Sequence, residues 1–237
     1  MNNPPIRILI HGASGRVGQA LSRLSGERDD IQLVAAVSRS KPAQRVVDGT
    51  PQFSVSELHG VPGFDVAIDF SLPAGFDAIL ALCTERSAAL VSGTTGLEPG
   101  QREAIEHASA RIPVLWAANF SLGVAVLCEL VERAARTLSG WDCDIVESHH
   151  VHKKDAPSGT ALVLAACAEQ GGATPHHAAI RAGDIVGEHL VQFTGLGERL
   201  ELVHRATNRD VFARGALHAA VRLAGRDSGC YGLRDLL

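Results

Sequence analysis

The chain has 237 residues, enough for one large domain or two small ones. Hydrophobic residues make up 46% of it and charged residues 20%, which is typical of a folded globular protein and excludes a disordered one. The 22 basic and 26 acidic residues give a net charge of −4, which does not favour a nucleic-acid partner. No apolar run approaches the roughly 18 residues of a membrane span. The five scattered cysteines form no CxxC pair, so we expect a cytoplasmic protein without disulfides.

The first half of the chain alternates short β-rich runs with helical patterns. Strands are predicted over 6–10, 33–37, 66–70, 89–91 and 113–116, and helices over 15–24, over 99–108 and from near Pro73. The predicted strands are almost continuously apolar, which is typical of strands buried on both faces. This alternation predicts an α/β fold, a Rossmann-like doubly wound parallel sheet covered by helices.

The pattern changes after Asn119. An amphipathic helix is predicted over 124–138, a strand over 144–147 and a helix over 157–168. Runs over 188–194 and 199–205 flank a Gly-Leu-Gly turn and predict an antiparallel hairpin, and Asn208 can cap a last helix that ends near 224. These elements predict a second, mixed α+β domain that begins near 121.

A glycine-rich turn follows the first predicted strand. It reads His11-Gly12-Ala13-Ser14-Gly15-Arg16-Val17-Gly18, with the spacing G-x-x-G-x-x-G. Glycines permit a tight turn and a close approach of the backbone to phosphate, and the helix that follows offers unpaired N–H groups and a partial positive charge. We therefore expect this turn to bind the pyrophosphate of a dinucleotide. A tight turn without a ligand is the alternative.

Arg39 follows the second predicted strand, where the residue that contacts the adenosine ribose normally stands. No carboxylate is placed there to bind a free ribose 2′-hydroxyl. Arg39, with Lys41 nearby, could instead bind a 2′-phosphate. The stretch predicts the use of NADPH and leaves NADH open, and a solvated basic loop is the alternative.

The densest polar cluster of the chain lies between Glu147 and Thr160. Three histidines and two lysines follow Ser148 within six positions: His149, His150, His152, Lys153 and Lys154. So many basic groups would repel one another if all were charged. Nearby anions or lowered pKa values are the physical ways to hold them together.

The same cluster leads into a predicted helix. We expect Asp155 to cap this helix, with Pro157 in its first turn. Three residues would then present backbone N–H groups beside Lys153: Ser158, Gly159 and Thr160. A helix N-terminus next to a cation predicts a site for one carboxylate of a small dicarboxylate substrate.

The histidines also suggest a metal site as an alternative. Adjacent residues of an extended segment point to opposite faces, so His149 and His150 would not converge on one ion. Lys153 would in addition repel a cation. We therefore predict that the cluster holds no metal.

The segment Glu147-Ser-His-His-Val-His-Lys-Lys-Asp-Ala-Pro-Ser-Gly-Thr-Ala161 is similar to the signature E-x-H-H-x-x-K-x-D-A-P-S-G-T-A of the 4-hydroxy-tetrahydrodipicolinate reductases, also called dihydrodipicolinate reductases. The chain resembles this family over nearly its whole length. Further blocks stand in the family's order: Gly12–Gly18, Gly93–Gly96, Ala117–Ser121, Arg181–His189 and Arg209–Ala213. The resemblance implies a homotetrameric NAD(P)H-dependent reductase of bacterial lysine and diaminopimelate synthesis, which acts on a cyclic dicarboxylate.

The resemblance also implies roles for individual residues. His149 would be the proton donor and Lys153 a catalytic cation. The implied substrate contacts are His150, Gly159 and Thr160, which add to Lys153 and Ser158 of the predicted anion site. The implied dinucleotide contacts are Gly12, Ala13, Ser14, Gly15, Arg16 and Val17 of the turn, Arg39, and Gly93, Thr94, Thr95, Ala117, Ala118, Asn119 and Phe120 near the nicotinamide.

The family likeness implies, too, that the final helix returns to the nucleotide domain. That domain would comprise 1–121 plus 209–237, with 122–208 as the substrate-binding and tetramerisation domain. Two departures from the family's pattern stand out. The stretch 40–64 is shorter than in typical members, and Ser38 stands where many members carry an acidic residue. The second departure weakens the expectation of tight NADH binding and leaves dual specificity open.

Two other functions fit parts of the sequence. A non-catalytic NAD(P)H-binding redox sensor of the same fold would need the glycine turn but neither His149 nor Lys153. A metal-dependent hydrolase would need a spaced carboxylate–histidine motif, which the sequence lacks. The reductase is therefore the favoured hypothesis.

Overall fold

A computed structural model of the chain describes residues 4–237. These residues divide into two compact units. The first unit comprises the residues through Phe120 together with Phe212–Leu237, and the second unit is Ser121–Val211. In the described part of the chain, no helix has both the length and the apolar character needed to cross a membrane.

The described residues form twelve strands and six α-helices. The strands are β1 (Ile6–His11), β2 (Ile31–Ser38), β3 (Val46–Val47), β4 (Thr50–Ser54), β5 (Val66–Asp69), β6 (Ala89–Ser92), β7 (Pro113–Trp116), β8 (Asp142–His149), β9 (Pro175–Arg181), β10 (Gly187–Thr194), β11 (Arg199–Ala206) and β12 (Gly229–Tyr231). The helices are α1 (Arg16–Ser25), α2 (Pro73–Arg86), α3 (Pro99–Ser109), α4 (Leu122–Thr137), α5 (Gly159–Gln170) and α6 (Asp210–Leu223). Short 3₁₀ helices cover Val55–Gly60 and Leu233–Leu236.

The first unit is built on an eight-stranded sheet with the order β12-β7-β6-β5-β1-β2-β4-β3. Every neighbouring pair is parallel except β3 with β4. From β1 the chain moves to β2 on one side, and β5 then pairs on the other side, so the strand order reverses between β1 and β5. This confirms the Rossmann-like doubly wound sheet. Ligands of such sheets bind outside the carboxyl ends of the strands at this reversal.

The predicted strands of the first unit are buried on both faces, as their almost continuously apolar composition indicated. Ile8, Leu9 and Ile10 of β1 have no exposed surface, nor has Leu90 of β6. A strand between two neighbours, with helices over its faces, buries the side chains of both faces. Pro73 begins α2 as predicted, because a first-turn proline lacks only an N–H that would have no helical partner.

The second unit is a four-stranded sheet with the order β11-β10-β8-β9. Pairing of β8 with β9 is parallel, which was not predicted, and the other two pairings are antiparallel. The helices α4 and α5 pack with one face of it in a core that includes Val131, Ile145, Leu164, Val191 and Phe193. The predicted hairpin is β10 with β11.

Several short elements escape prediction from the sequence. The strand β9 begins at Pro175 and holds two histidines and two alanines, a composition that does not favour a strand. It forms because seven of its residues pair with β8. The strands β3 and β12 have two and three residues, too few for a recognisable pattern.

Candidate active site

The glycine turn lies between β1 and α1, at the carboxyl end of the strand where the sheet order reverses. Gly12 has a φ of +82°, and a Cβ there would lie 2.5 Å from the backbone oxygen of Phe70. A Cβ at Gly18 would collide with the backbone oxygen of Gly12. Both positions therefore require glycine, one for its conformation and the other for the close approach of α1 to the turn.

The N-terminus of α1 fits an anionic group. Its N-cap is Gly15, which makes no side-chain cap, and no acidic residue stands in its first turn. The first N–H groups of a helix have no helical partner, so here they and the exposed Arg16 can serve a phosphate. The residues present thus fit the pyrophosphate of a dinucleotide.

The end of β2 lies beside this turn. The N–H groups of Gly12 and Ala13 both donate to the backbone oxygen of Val37, at 2.9 and 3.0 Å. Arg39 is the first residue after β2 and is exposed. It therefore stands at the strand end adjacent to the turn, where a ribose phosphate of a bound dinucleotide would be expected.

A buried carboxylate holds the loop that was expected to line the nicotinamide. Asp69, at the end of β5, accepts hydrogen bonds from the hydroxyls of Ser92 and Thr94, each at 2.8 Å, and from the backbone N–H of Ser71 at 3.1 Å. Nδ1 of the buried His11 lies 2.8 Å from Oδ1 of Asp69, the oxygen that also accepts from Ser71, while the two hydroxyls bind Oδ2. Burial raises the pKa of Asp69, but the hydrogen bonds from His11 and its other partners outweigh burial and leave the pKa lowered.

Most polar groups of this loop form hydrogen bonds within the first unit. The N–H of Gly93 donates to the backbone oxygen of Asp69, and the indole of Trp116 donates to the backbone oxygen of Thr94, both at 2.8 Å. Thr95 is exposed. These hydrogen bonds hold the loop in place, and Thr95 remains exposed to solvent.

The remaining predicted nicotinamide residues follow β7. The N–H of Ala117 donates to the backbone oxygen of Ser92, and Ala118 is exposed. The ring of the buried Phe120 lies 5.3 Å from that of Phe70, centroid to centroid. Asn119, which stands between Ala118 and Phe120 in the chain, is half-buried. All predicted dinucleotide residues thus belong to the first unit.

The predicted cap of α5 is wrong. The helix begins at Gly159, and its N-cap is Ser158, whose hydroxyl accepts a hydrogen bond from the N–H of Ala161. The Asp155 carboxylate instead accepts a bond from Nζ of Lys153 at 2.8 Å. Pro157 precedes the helix rather than lying in its first turn.

The same arrangement changes the predicted anion site. The N–H of Ser158 donates to Oε1 of Glu147 at 3.1 Å, and the residue is buried. This N–H is therefore not available to a substrate carboxylate. The first turn of α5 still begins with Gly159 and Thr160, which are the helix N-terminal residues that a substrate could contact.

His149 is held by Glu147, two residues earlier on the same face of β8. Nδ1 of His149 lies 2.5 Å from Oε2 of Glu147. Arg181 on β9 donates to both carboxylate oxygens, at 2.7 and 2.9 Å. Burial raises the pKa of Glu147, but the hydrogen bonds from Arg181 and His149 outweigh burial and lower the pKa below its usual range.

His150 and Lys153 follow directly in the chain. Lys153 is paired with Asp155, and its side chain is 21% exposed. Partial burial lowers the pKa of His150, and the positive charges of Arg209, His152, His149 and Lys153 lower it further. Anionic partners and lowered pKa values thus both reduce charge repulsion within the basic cluster, as its composition led us to expect.

A row of three histidines crosses the sheet of the second unit: His149 on β8, His189 on β10 and His204 on β11. Successive ring centroids are 5.2 and 6.4 Å apart. Nε2 of His189 lies 3.2 Å from the hydroxyl of Ser158, while its buried Nδ1 has no partner within the described residues. Burial, reinforced by His149 and His204, lowers the pKa of His189 to about 4, so this ring is neutral at neutral pH.

Sequence reasoning missed the residues that support the site. Glu147 lies in the signature segment and Arg181 in a further block of the family, but the sequence predicted no role for either. It predicted none for Asp69 or His189. The only local signal was a carboxylate two positions before a histidine in an extended segment. The structure brings His149, Lys153 and the start of α5 together in the second unit.

A doubly wound parallel sheet with a glycine turn at its reversal point defines the class of nucleotide-dependent oxidoreductases. Comparison with known families narrows this class. The family description "Dihydrodipicolinate reductase, N-terminus" matches residues 6–120, and "Dihydrodipicolinate reductase, C-terminus" matches residues 123–237. The chain belongs to the dihydrodipicolinate reductase family and is an NAD(P)H-dependent oxidoreductase.

Relatives agree over the full length of the chain. A 4-hydroxy-tetrahydrodipicolinate reductase of Stenotrophomonas maltophilia strain R551-3 is 71% identical over 238 residues and covers 100% of both chains. One from Xanthomonas campestris pv. campestris strain B100 is 65% identical over 237 residues, again with 100% of both chains covered.

Solved structures agree with the fold. A dipicolinate-bound dihydrodipicolinate reductase from Paenisporosarcina sp. TG-14 matches with a TM-score of 0.82 at 23% identity, covering 98% of this chain and 100% of that one. A diaminopimelate dehydrogenase of C. glutamicum matches with a TM-score of 0.64 at 16% identity, covering 98% and 94%. At these identities the likeness concerns the fold.

The buried His189 predicts a pH dependence of stability. Its pKa is about 4 in the folded chain and about 6.5 when unfolded, so only the unfolded chain takes up this proton as the pH falls between those values. The stabilisation present above pH 6.5 is thus lost toward pH 4. In His189→Gln we expect this acid-induced loss of unfolding free energy to be smaller, by at most about 3 kcal/mol.

Guanidinium denaturation at several pH values between 4 and 7 measures this difference. The control is His107→Gln, which removes an exposed histidine from α3. Parallel pH profiles for the wild-type chain and His189→Gln would contradict the assignment.

Proposed function

We propose that this chain reduces 4-hydroxy-tetrahydrodipicolinate with NADPH or NADH, giving tetrahydrodipicolinate, water and the oxidised dinucleotide, in lysine and diaminopimelate biosynthesis. The single observation that carries the chemistry is the Glu147-bound His149, whose carboxylate partner also binds the start of α5 and is linked through Arg181 to the segment of Lys153. Family membership and relatives of that name support the substrate. The dinucleotide supplies the hydride, and the first unit is its proposed binding domain.

Substrate binding is the proposed task of Lys153 and the first turn of α5. The Lys153 ammonium would exchange part of its contact with the exposed Asp155 for a substrate carboxylate. The N–H groups of Gly159 and Thr160 would add charge-assisted hydrogen bonds at the helix N-terminus. His150, with its lowered pKa, would bind the substrate as a neutral group. Such fixing of the ring can supply several kcal/mol of the barrier.

Proton delivery is the proposed task of His149. Loss of the 4-hydroxyl as water leaves a conjugated acceptor, hydride enters at C4, and negative charge develops toward the ring nitrogen. An imidazole suits proton transfer around neutral pH. A redox sensor of the same fold would not need a histidine held by a buried carboxylate, so this pair favours catalysis over sensing.

Replacing His149 tests the proton-donor assignment. His149→Gln should lower kcat by about 100-fold or more with a modest change in KM, because it removes an interaction made in the transition state. The rate of nicotinamide absorbance loss with substrate measures kcat, and dinucleotide affinity should be unchanged. The control is His152→Gln, from the same segment, which should retain activity. Near-full kcat in His149→Gln across the pH range would overturn the assignment.

Lys153 should behave differently from His149. Lys153→Ala should raise KM and lower kcat together, since it removes both substrate charge pairing and catalytic orientation. Steady-state kinetics with varied substrate separate the two parameters. An unchanged KM would show that the carboxylate is bound elsewhere.

Cofactor choice is the proposed task of Arg39. We expect NADPH to be used at least as well as NADH, and Arg39→Ala to weaken NADPH selectively by about tenfold or more, because it removes a charge-assisted contact to the 2′-phosphate. Measured Kd values for both dinucleotides test this. The control Arg111→Ala removes an exposed arginine just before β7, at the opposite end of the strands. Equal losses for both dinucleotides would contradict the role.

Assembly into a homotetramer through the second unit is also proposed, together with a cytoplasmic location. On the sheet face away from α4 and α5, paired residues form a half-exposed apolar row: Ala178, Val146, Leu190 and Val203. The edge strands β9 and β11 expose further apolar side chains, including Ile180 and Leu200. Such a face favours contact with another copy. The five cysteines, all within the described residues, form no disulfide, which suits a reducing compartment.

Light scattering at micromolar concentration tests the assembly. We expect a species of four chains, and Val203→Glu should shift it toward smaller species by placing a charge in the apolar row. The control Val46→Glu adds the same charge to an exposed position of β3 in the first unit. A single species of 24.9 kDa for the wild-type chain would defeat the proposal.

A further inference from the structure

Glu147 is the most fully bonded carboxylate in the second unit. Its side chain is only 1% exposed, and it contacts three elements: β8 through His149, β9 through Arg181 and the start of α5 through Ser158. A buried carboxylate is tolerated only when its lone pairs are satisfied. Four contacts satisfy them here, and Arg181 also neutralises the charge.

These contacts determine which nitrogen of His149 faces the substrate. An ionised carboxylate can only accept hydrogen bonds, so Nδ1 must carry the proton that it donates to Glu147. Nε2 makes no hydrogen bond within the described part of the chain, and it is not sealed from solvent. A Cβ at position 187 would lie 3.0 Å from Nε2, so Gly187 keeps this side of the ring clear.

Arg181 connects the carboxylate to the segment that carries Lys153. Besides its two bonds to Glu147, it donates to the backbone oxygen of Asp155 at 2.6 Å. The Asp155 carboxylate in turn contacts Nζ of Lys153. One ion pair thus anchors the elements that hold both proposed reactive side chains.

We propose that Glu147 is a positioning residue: it holds the His149 ring with Nδ1 protonated, so that Nε2 is the atom that gives its proton to the substrate. This inference rests on the proposed role of His149 as proton donor. Glu147 itself touches neither substrate nor dinucleotide. It acts by fixing the tautomer and orientation of the ring, so that the second proton, which the ring must carry before transfer, is on Nε2.

Glu147→Gln separates this role from packing, since the amide has nearly the same shape but no charge and can donate to Nδ1. We expect kcat to fall at least tenfold, with little change in KM for substrate or dinucleotide.

This substitution leaves the other charged or titratable residues around His149 unaltered: Arg181 on β9, His189 on β10, and His150 and Lys153 on the following segment. The matched control is Glu188→Gln on the adjacent β10, an exposed carboxylate paired with Arg205. It should leave kcat and the His149 tautomer unchanged. Should Glu147→Gln lose the native fold by circular dichroism, Glu147→Asp, which keeps the charge but shortens the side chain, provides the same kinetic and spectroscopic readouts.

Nitrogen NMR of ¹⁵N-histidine-labelled protein gives a readout independent of activity. The wild-type chain should show His149, assigned by its loss in His149→Gln, protonated at Nδ1 when neutral. In Glu147→Gln the population should shift toward the Nε2-protonated form. An unchanged tautomer in Glu147→Gln would overturn the inference.

A double variant distinguishes failure of this inference from failure of the proposed function. If Glu147 acts through His149, Glu147→Gln should cost little further kcat in the His149→Gln background. A full additional loss there would show a role in general structure and overturn the positioning role. Near-full kcat of His149→Gln alone would instead reject His149 as the proton donor, whatever the tautomer.

Discussion

The buried carboxylate of Glu147 and the guanidinium of Arg181 are the contact on which the second unit's site depends. The two oxygens receive two bonds from Arg181, one from the Ser158 N–H and one contact from His149. Removing one partner of such a pair leaves an uncompensated buried charge, which typically costs about 3–5 kcal/mol. The position of β8 between β9 and β10 makes the pairing feasible, because Arg181 stands on the neighbouring strand.

A buried carboxylate also organises loops in the first unit. Asp69 ends β5 beneath the glycine turn and holds His11, Ser92 and Thr94 through hydrogen bonds. In both units a buried acid at a strand end gathers donors from neighbouring segments, so the loops at these ends are ordered before any ligand arrives. Preorganised groups lose less conformational entropy on binding, which favours affinity and correct orientation.

The crowding of basic groups after β8 explains much of the local chemistry. Asp155 pairs with Lys153, and Glu147 pairs with His149, so two of the basic side chains have anionic partners. Burial, aided by neighbouring positive charge, lowers the pKa of His150 and of His189, so these rings do not add to the charge. The cluster can thus keep one cation for binding and one ring for proton transfer. His189 keeps Ser158 in contact with the sheet while it remains neutral.

The amino-acid sequence by itself determined the class of the sheet, the glycine turn, the hairpin and the segment that carries His149 and Lys153. These features are local: apolar strands, glycine spacing and a helical period are written within a few residues of one another. The strand β9 and the cap of α5 were decided only by the tertiary structure. Local chemistry allowed either Asp155 or Ser158 to cap, and Asp155 is taken by Lys153 while Ser158 is drawn to Glu147. Arg181 stands 34 positions from Glu147, and only the pairing of β8 with β9 brings the two side chains together.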